Sequence, residues 1–494
     1  MSKKVIIIGG GVAGLSAGIY ARMNGYDAEI FEMHTIPGGQ CTAWIKKGYR
    51  FDYCLHWLVG TANGQLNQIW RETNVINEDT TIIDHDVVAV ISDGQDKDFI
   101  IYADIDRWQK YLLEMAPEDA RGIKKMCSDM RKGALYEPAD NGRGFKGLIH
   151  RVGSYLKIVP LLPLFVKYGK KNCQAYFKKL NLKNPRLVNL LNKSYGDRDF
   201  SAIAFIMMLG WFHKKNAGYL IGGSLPFAKR MADKYRSLGG KLTVGKRVEK
   251  IITENDKAVG VILTDGTQIK GDFIISAADG HATIFSMLEG RYLSKEISEA
   301  YGSWKVFTPI VQVSFGIDTR LESEYPYKSF ITNGVNIGFT ELDYGYSMMN
   351  YSFDPTMAPE GKTVIIIRYE SPWEKWQDLS KEQYKAEKEK IKTDATAILL
   401  SKYPGAKGKI EVVDVATPLT NIRYTGVWKG AYEGFSPTAG NITRQLKNEL
   451  PGLDNFYLAG QWLFPGGGLP PSALSGKTAV RQICKKDKKT FVSK

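Results

Sequence analysis

Residues 3–32, KKVIIIGGGVAGLSAGIYARMNGYDAEIFE, constrain this chain more than any other stretch. Residues 5–8 are a short β-branched run suited to a buried parallel strand. Gly9, Gly11 and Gly14 follow in G-x-G-x-x-G spacing and open a helix-forming run. In that motif the first glycine allows the tight turn and the second lets backbone approach a pyrophosphate. The third lets the helix pack on the strand. The helix N-terminus then offers free N–H groups and a favourable dipole to phosphate. A second strand, DAEIFE, ends at Glu32, eighteen residues after Gly14, where a carboxylate accepts hydrogen bonds from ribose hydroxyls. Strand, turn, helix, second strand and terminal acid together predict a dinucleotide site.

The next residues, GGQCTAWIKKGYRFDYCLHW (38–57), hold Cys41, Cys54 and His56 close together, with His34 just upstream. Their spacing matches no standard zinc pattern. The glycine pair Gly38 and Gly39 reads instead as a second place of close backbone approach.

At this point the chain resembles the phytoene desaturase and retinol saturase group of FAD-dependent, amine-oxidase-like flavoproteins. The resemblance rests on residues 38–40 (GGQ) and 48–54 (GYRFDYC), with Gln40 and Cys54 standing where that group carries arginine and glycine. It continues through residues 222–279, 352–367 and 417–435, and through NFYLAGQWLFPGGGLPPSALSGKTAVRQI (455–483). The group implies FAD, bound by Gly9, Gly11, Val12, Ala13, Gly14, Glu32, Gly38, Gly39, Gln40, Val248, Gly460, Gln461, Leu469 and Ser472. Pro470 and Pro471 suit the first turn of a C-terminal helix, since its first N–H groups are not needed there.

The fold expected is α/β: a discontinuous Rossmann-type FAD-binding domain (1–100, 215–290 and 415–494), a helical and basic insertion (100–214), and a mixed-sheet substrate domain (291–414). The chain has 494 residues, of which 44% are hydrophobic, enough for two or three lobes. Five cysteines with no C-x-x-C argue against a disulfide scaffold and for a reducing, cytoplasmic setting. The apolar run at residues 5–8 leads straight into a glycine turn, which does not fit a signal peptide. No run reaches the roughly 20 apolar residues of a membrane span. The chain also shows no second G-x-G-x-x-G, which argues against a dedicated nicotinamide domain.

The formal net charge is +15, and its placement is uneven: residues 141–196 hold twelve Lys and Arg and no Asp or Glu. There the charge interleaves with apolar residues, as in GLIHRVGSYLKIVPLLPLFVKYGKK (147–171). This fits either an ordinary basic surface or peripheral attachment to anionic membrane. No nucleic-acid recognition motif accompanies it.

The resemblance implies desaturation or saturation of carbon–carbon bonds in a polyene or other lipid, with the electron partner open. The alternatives are a flavin-dependent isomerase or hydratase without net electron transfer, an amine oxidase, and a non-catalytic membrane-binding flavoprotein. FIMMLGWF (205–212), Trp304, Phe307 and Tyr344 are candidates for an apolar tunnel, although FIMMLGWF also reads as core. His56, His213 and Arg423 are the candidates for proton transfer.

Overall fold

The computed structural model describes residues 2–136, 159–195, 199–332 and 334–493. Two sheets organise the chain. The first has five parallel strands, in the spatial order Lys241–Val244, Asp27–Glu32, Lys4–Ile8, Phe273–Ser276 and Phe456–Leu458. Its central strand runs VIII, buried throughout, as a strand covered on both faces requires. Helices Val12–Met23 and Leu469–Lys486 pack together on this sheet. An added Cβ at Gly476 would lie 2.3 Å from Ala13 O, so glycine sets how closely the two helices approach.

The second sheet has seven strands, in the order Ile410–Ala416, Ile310–Ile317, Thr363–Glu370, Tyr346–Asn350, Tyr327–Phe330, Val87–Ser92 and Phe99–Tyr102. It is mixed: Tyr327–Phe330 runs parallel to Val87–Ser92, and the other pairings are antiparallel. Residues 87–100, expected in the dinucleotide-binding unit, belong to a hairpin that pairs in this second sheet instead. Hydrogen bonding to Tyr327–Phe330 decides that placement, and the local sequence carries no trace of a partner so distant.

A helical block, Ile105–Met115, Ala120–Gly133, Cys173–Leu180, Pro185–Lys193 and Ala202–His213, builds its own core around Trp108, Met126, Tyr176 and Phe205. No helix among the described residues is long and apolar enough to cross a membrane. Of the basic window, residues 141–158 and 196 lie outside the described residues.

Candidate functional site

The fingerprint folds as its spacing predicts. Gly9 has φ of 94°, and its N–H donates to Phe31 O at 2.8 Å. An added Cβ at Gly14 would sit 1.9 Å from Gly9 O, so only glycine brings the helix this close to the strand. Helix Val12–Met23 starts at Gly11 with no side chain capping it, which leaves its first-turn amides to a ligand. At Gly11 an added Cβ meets nothing nearer than Gly39 Cα at 3.8 Å. The two glycine turns thus lie against each other at van der Waals distance, joined at a bridge between Gly11 and Gly38. A bulkier residue would fill that cradle, and this is the shape a dinucleotide pyrophosphate needs.

Glu32 is buried at the end of its strand. Its Oε2 accepts from Gly10 N at 2.6 Å and its Oε1 from His34 N at 2.7 Å. Burial pushes this carboxyl above its ordinary range, against the opposing pull of those amides. Each oxygen keeps a lone pair for a ribose hydroxyl.

A cavity of about 1240 Å³ runs from this cradle into the interior. Single-ligand pockets hold roughly 300–1,000 Å³, so a dinucleotide and a second molecule fit together. Gly9, Gly11, Val12, Ala13, Glu32, Gly38, Gly39, Gln40 and Val248 line it from the N-terminal side. Gly460, Gln461, Leu469 and Ser472 line it from the C-terminal side. Leu469 opens helix Leu469–Lys486, with prolines in its first turn as expected. The Gly460 N–H donates to Ser475 Oγ and Ser472 Oγ donates to Gly468 O, fixing the glycine loop that precedes the helix.

Gln40, expected at the cofactor, has protein partners for both ends of its amide. Its Nε2 donates to Ala431 O and its Oε1 accepts from Gln461 Nε2, both at 2.8 Å. The side chain ties the N-terminal turn to the C-terminal wall, because an uncharged amide with two protein partners at hand satisfies both its ends there.

The far end of the cavity is apolar. Helix Ala202–His213 turns Ile203, Phe205, Ile206 and Leu209 into the core and Met207, Met208, Trp211 and Phe212 into the cavity. FIMMLGWF is therefore both core and wall. Phe307 and Tyr344 also line the cavity. Trp304 does not; it packs edge-on against Phe435 at 5.3 Å.

Of the three proton-transfer candidates, only His56 reaches the cavity. Its Nδ1 lies 3.0 Å from Cys54 O. A carbonyl only accepts, so Nδ1 carries the hydrogen and Nε2 keeps its lone pair. Burial, with help from the Arg368 cation, brings the imidazole down to about 4, so the ring is neutral at physiological pH. His213 accepts from Ile105 N at 3.2 Å and fixes the start of a helix. Arg423 is exposed on helix Pro418–Thr425, outside the cavity. In both cases helix geometry aims the side chain elsewhere.

Two residues went unnoticed in the sequence. Arg368 interrupts the apolar run of strand Thr363–Glu370, and that interruption was the available signal. Its Nε donates to Gln312 Oε1 at 2.9 Å, and its Nη2 to Asp52 O and Tyr53 O at 3.0 Å. It pins the segment carrying His56 to the second sheet. Glu433, in the loop AYEGF, lines the cavity beside the glycine loop, with Oε1 3.5 Å from where a Gly468 Cβ would lie. Burial alone raises its carboxyl to about 7, so near neutrality it holds or releases a proton.

Asp52 is fully buried. It accepts from Ser224 Oγ, Cys54 N and Leu55 N on one oxygen and from Ser224 N on the other. Its place is structural: it fixes the hairpin whose end meets the cavity.

Comparison with known proteins agrees with this geometry. Residues 7–73 match a family of NAD(P)-binding Rossmann-like domains. Residues 181–484 match the family of flavin containing amine oxidoreductases. A chloroplastic prolycopene isomerase of Daucus carota is 24% identical over 97% of this chain and 79% of its own length. A 4,4'-diapophytoene desaturase of Methylomonas is 25% identical over 99% of this chain and 97% of its own. An oxidoreductase from Methanosarcina mazei shares the fold with a TM-score of 0.66 at 17% identity, covering 97% of this chain and 100% of that one. The matched length, the glycine cradle and the cavity lead to one conclusion: the chain belongs to the family of flavin containing amine oxidoreductases, an FAD-dependent group of oxidoreductases.

Proposed function

We propose that this protein is an FAD-dependent oxidoreductase that forms or removes carbon–carbon double bonds in a polyene or other long unsaturated lipid. The observation that carries the reading is one continuous cavity, with a dinucleotide cradle at one end and a wall of Met207, Met208, Trp211 and Phe212 at the other. Carotenoid-type desaturases and isomerases that match nearly the whole chain support it. When bound, FAD supplies hydride acceptance or delivery.

The cradle, Glu32 and the C-terminal wall of Gly460, Gln461, Leu469 and Ser472 hold the dinucleotide. The apolar wall excludes water and aligns a hydrocarbon chain. The Glu433 carboxyl faces the cavity and exchanges a proton near neutral pH, while the neutral His56 ring offers the lone pair of its Nε2 as a proton acceptor. Arg368 positions the first of these through the backbone of Asp52 and Tyr53.

A second reading, isomerisation without net electron transfer, is favoured by the full-length likeness to prolycopene isomerases. It uses the same residues.

The lipid reaches the cavity through a membrane-facing edge. Leu162 and Val166, on helix Leu162–Tyr168, are 50% and 87% exposed, beside Val159 at 53%. Phe165, on the same helix, lines the cavity. Lys167, Lys170, Lys178 and Lys179 are exposed around this apolar tip. Desolvation, then the charges of Lys171 and Lys167, push the Lys179 ammonium down, the mark of a cationic cluster that an anionic lipid surface relieves.

The test is an anaerobic screen of polyenes and unsaturated lipids with the purified holoenzyme, followed by mass spectrometry. A product differing by two hydrogens supports the redox reading, and one of unchanged mass with a changed double bond supports isomerisation. Turnover of amines with peroxide release, and none of lipids, would overturn both.

A further inference from the structure

Strands Ala43–Lys46 and Tyr49–Asp52 form a hairpin in the register Ala43↔Asp52, Trp44↔Phe51, Ile45↔Arg50 and Lys46↔Tyr49. The pairing continues one step further, with Tyr53 N donating to Thr42 O at 3.1 Å. The next pair in that register is Cys41 and Cys54. Their own N–H groups turn away from each other, to Gly38 O and to Asp52 Oδ1. In a regular ladder a non-hydrogen-bonded pair in this position has Cα atoms about 4.5 Å apart. A disulfide needs Cα atoms roughly 4.4–6.8 Å apart.

Both thiols border the cavity that holds the dinucleotide cradle. Cys41 is 2% exposed with its Sγ 3.7 Å from Ser224 O, whereas Cys54 is half-buried. The remaining cysteines, Cys127, Cys173 and Cys484, are buried and line no part of this cavity. Nothing in the carbon–carbon chemistry calls for a thiol pair here.

We propose that Cys41 and Cys54 form a two-electron dithiol–disulfide couple that passes electrons to the FAD. The proposal rests on the FAD site described above. In the step, two S–H bonds break and one S–S bond forms, while two electrons and two protons pass to the oxidised cofactor, which becomes its two-electron-reduced form. A small external dithiol then reduces the disulfide by thiol exchange and leaves as its own disulfide. Burial, contact with Cys54 and the Asp52 carboxylate hold the Cys41 thiol well above the ordinary range. Cys54, nearer the open cavity, is therefore the thiol that external reductants meet. The couple gives the cofactor a source of electrons in a chain with no second dinucleotide fingerprint.

The test uses the yellow holoenzyme, whose FAD content is read first from its spectrum, so loss of the cofactor is seen apart from loss of the couple. Diamide treatment followed by denaturing alkylation and peptide mass mapping is expected to join Cys41 to Cys54 and leave three free thiols of the five cysteines. Anaerobic dithionite titration of the oxidised protein is expected to take up about four electrons per FAD, against about two in Cys41→Ser and Cys54→Ser. Dithiothreitol is expected to bleach the flavin of the unaltered enzyme at least about tenfold faster than that of either variant, while dithionite bleaches all three alike. Five free thiols after diamide, or equal bleaching by dithiothreitol in all three proteins, overturns the proposal. The diamide experiment needs no variant, so it decides even if a substitution at the buried Cys41 impairs folding.

Discussion

Glu433 and His56 divide the proton chemistry of the cavity by their surroundings. The His56 ring is neutral down to about pH 4, so it does not titrate in the physiological range. Glu433 releases its proton at about 7. Replacing His56 by alanine is expected to leave FAD bound and lower turnover by about 10²-fold, a typical loss for a general acid or base. Turnover at the parent level, with FAD quantified in the same sample, removes the residue from the mechanism. For Glu433→Gln the expected signature is loss of the ionisation near pH 7 from the pH–rate profile, with the remaining limbs unmoved. Glu433 also affects stability. An unfolded glutamate ionises at about 4.3, whereas the folded one keeps its proton to about 7. Between those values the unfolded chain binds fewer protons, so folding stability falls as pH rises through the interval. The Tm of Glu433→Gln relative to the parent should therefore improve from pH 5 to pH 8, and a constant difference would refute the buried-acid account.

At the scale of elements, the glycine contacts are the most exacting. Ala13 O and Ala17 N lie 2.3 and 2.8 Å from where a Gly476 Cβ would sit. Gly476→Ala should cost about 1–3 kcal/mol through overpacking between two helices that both border the cofactor site. Denaturant titration with and without added FAD measures it, and the loss should be accompanied by weaker FAD retention. On the helix Leu162–Tyr168, the double change Leu162→Asp and Val166→Asp should abolish sedimentation with anionic vesicles and leave FAD binding intact. Equal sedimentation of parent and variant would place the membrane edge elsewhere.

What could be read from the sequence follows the reach of the interactions. The strand, glycine turn, helix and Glu32 depend on neighbours within a few tens of residues; all form as read. Gln40 finds Ala431 across 391 positions, and Asp52 finds Ser224 across 172. Periodicity carries nothing about such partners. Residue type alone singles out His213 and Arg423, and type says nothing about which way a helix turns a side chain. Arg368 was visible as a charge inside VIIIRY, but the backbone oxygens it holds come from a hairpin more than three hundred residues away.

At the scale of the molecule, two sheets and a helical block enclose a cavity whose walls differ in chemistry. The first sheet builds the cradle from strands far apart in the chain, and the C-terminal helix closes it. Arg368 and Gln312 carry hydrogen bonds from the second sheet to the hairpin beside the cofactor site. Because those contacts join the two sheets at the cavity, bound FAD should stabilise the whole assembly: at about 100 times its Kd it adds about 2.7 kcal/mol. Removal of FAD should lower Tm accordingly, and added FAD should restore it.

The most direct test of the account is anaerobic spectrophotometry of the purified holoenzyme, with its cofactor released and identified. The account predicts a yellow protein whose released cofactor is FAD and whose visible bands bleach when an unsaturated lipid substrate is added and not when an amine is added. A colourless protein that takes up no FAD, or a flavin bleached by amines alone, would contradict it.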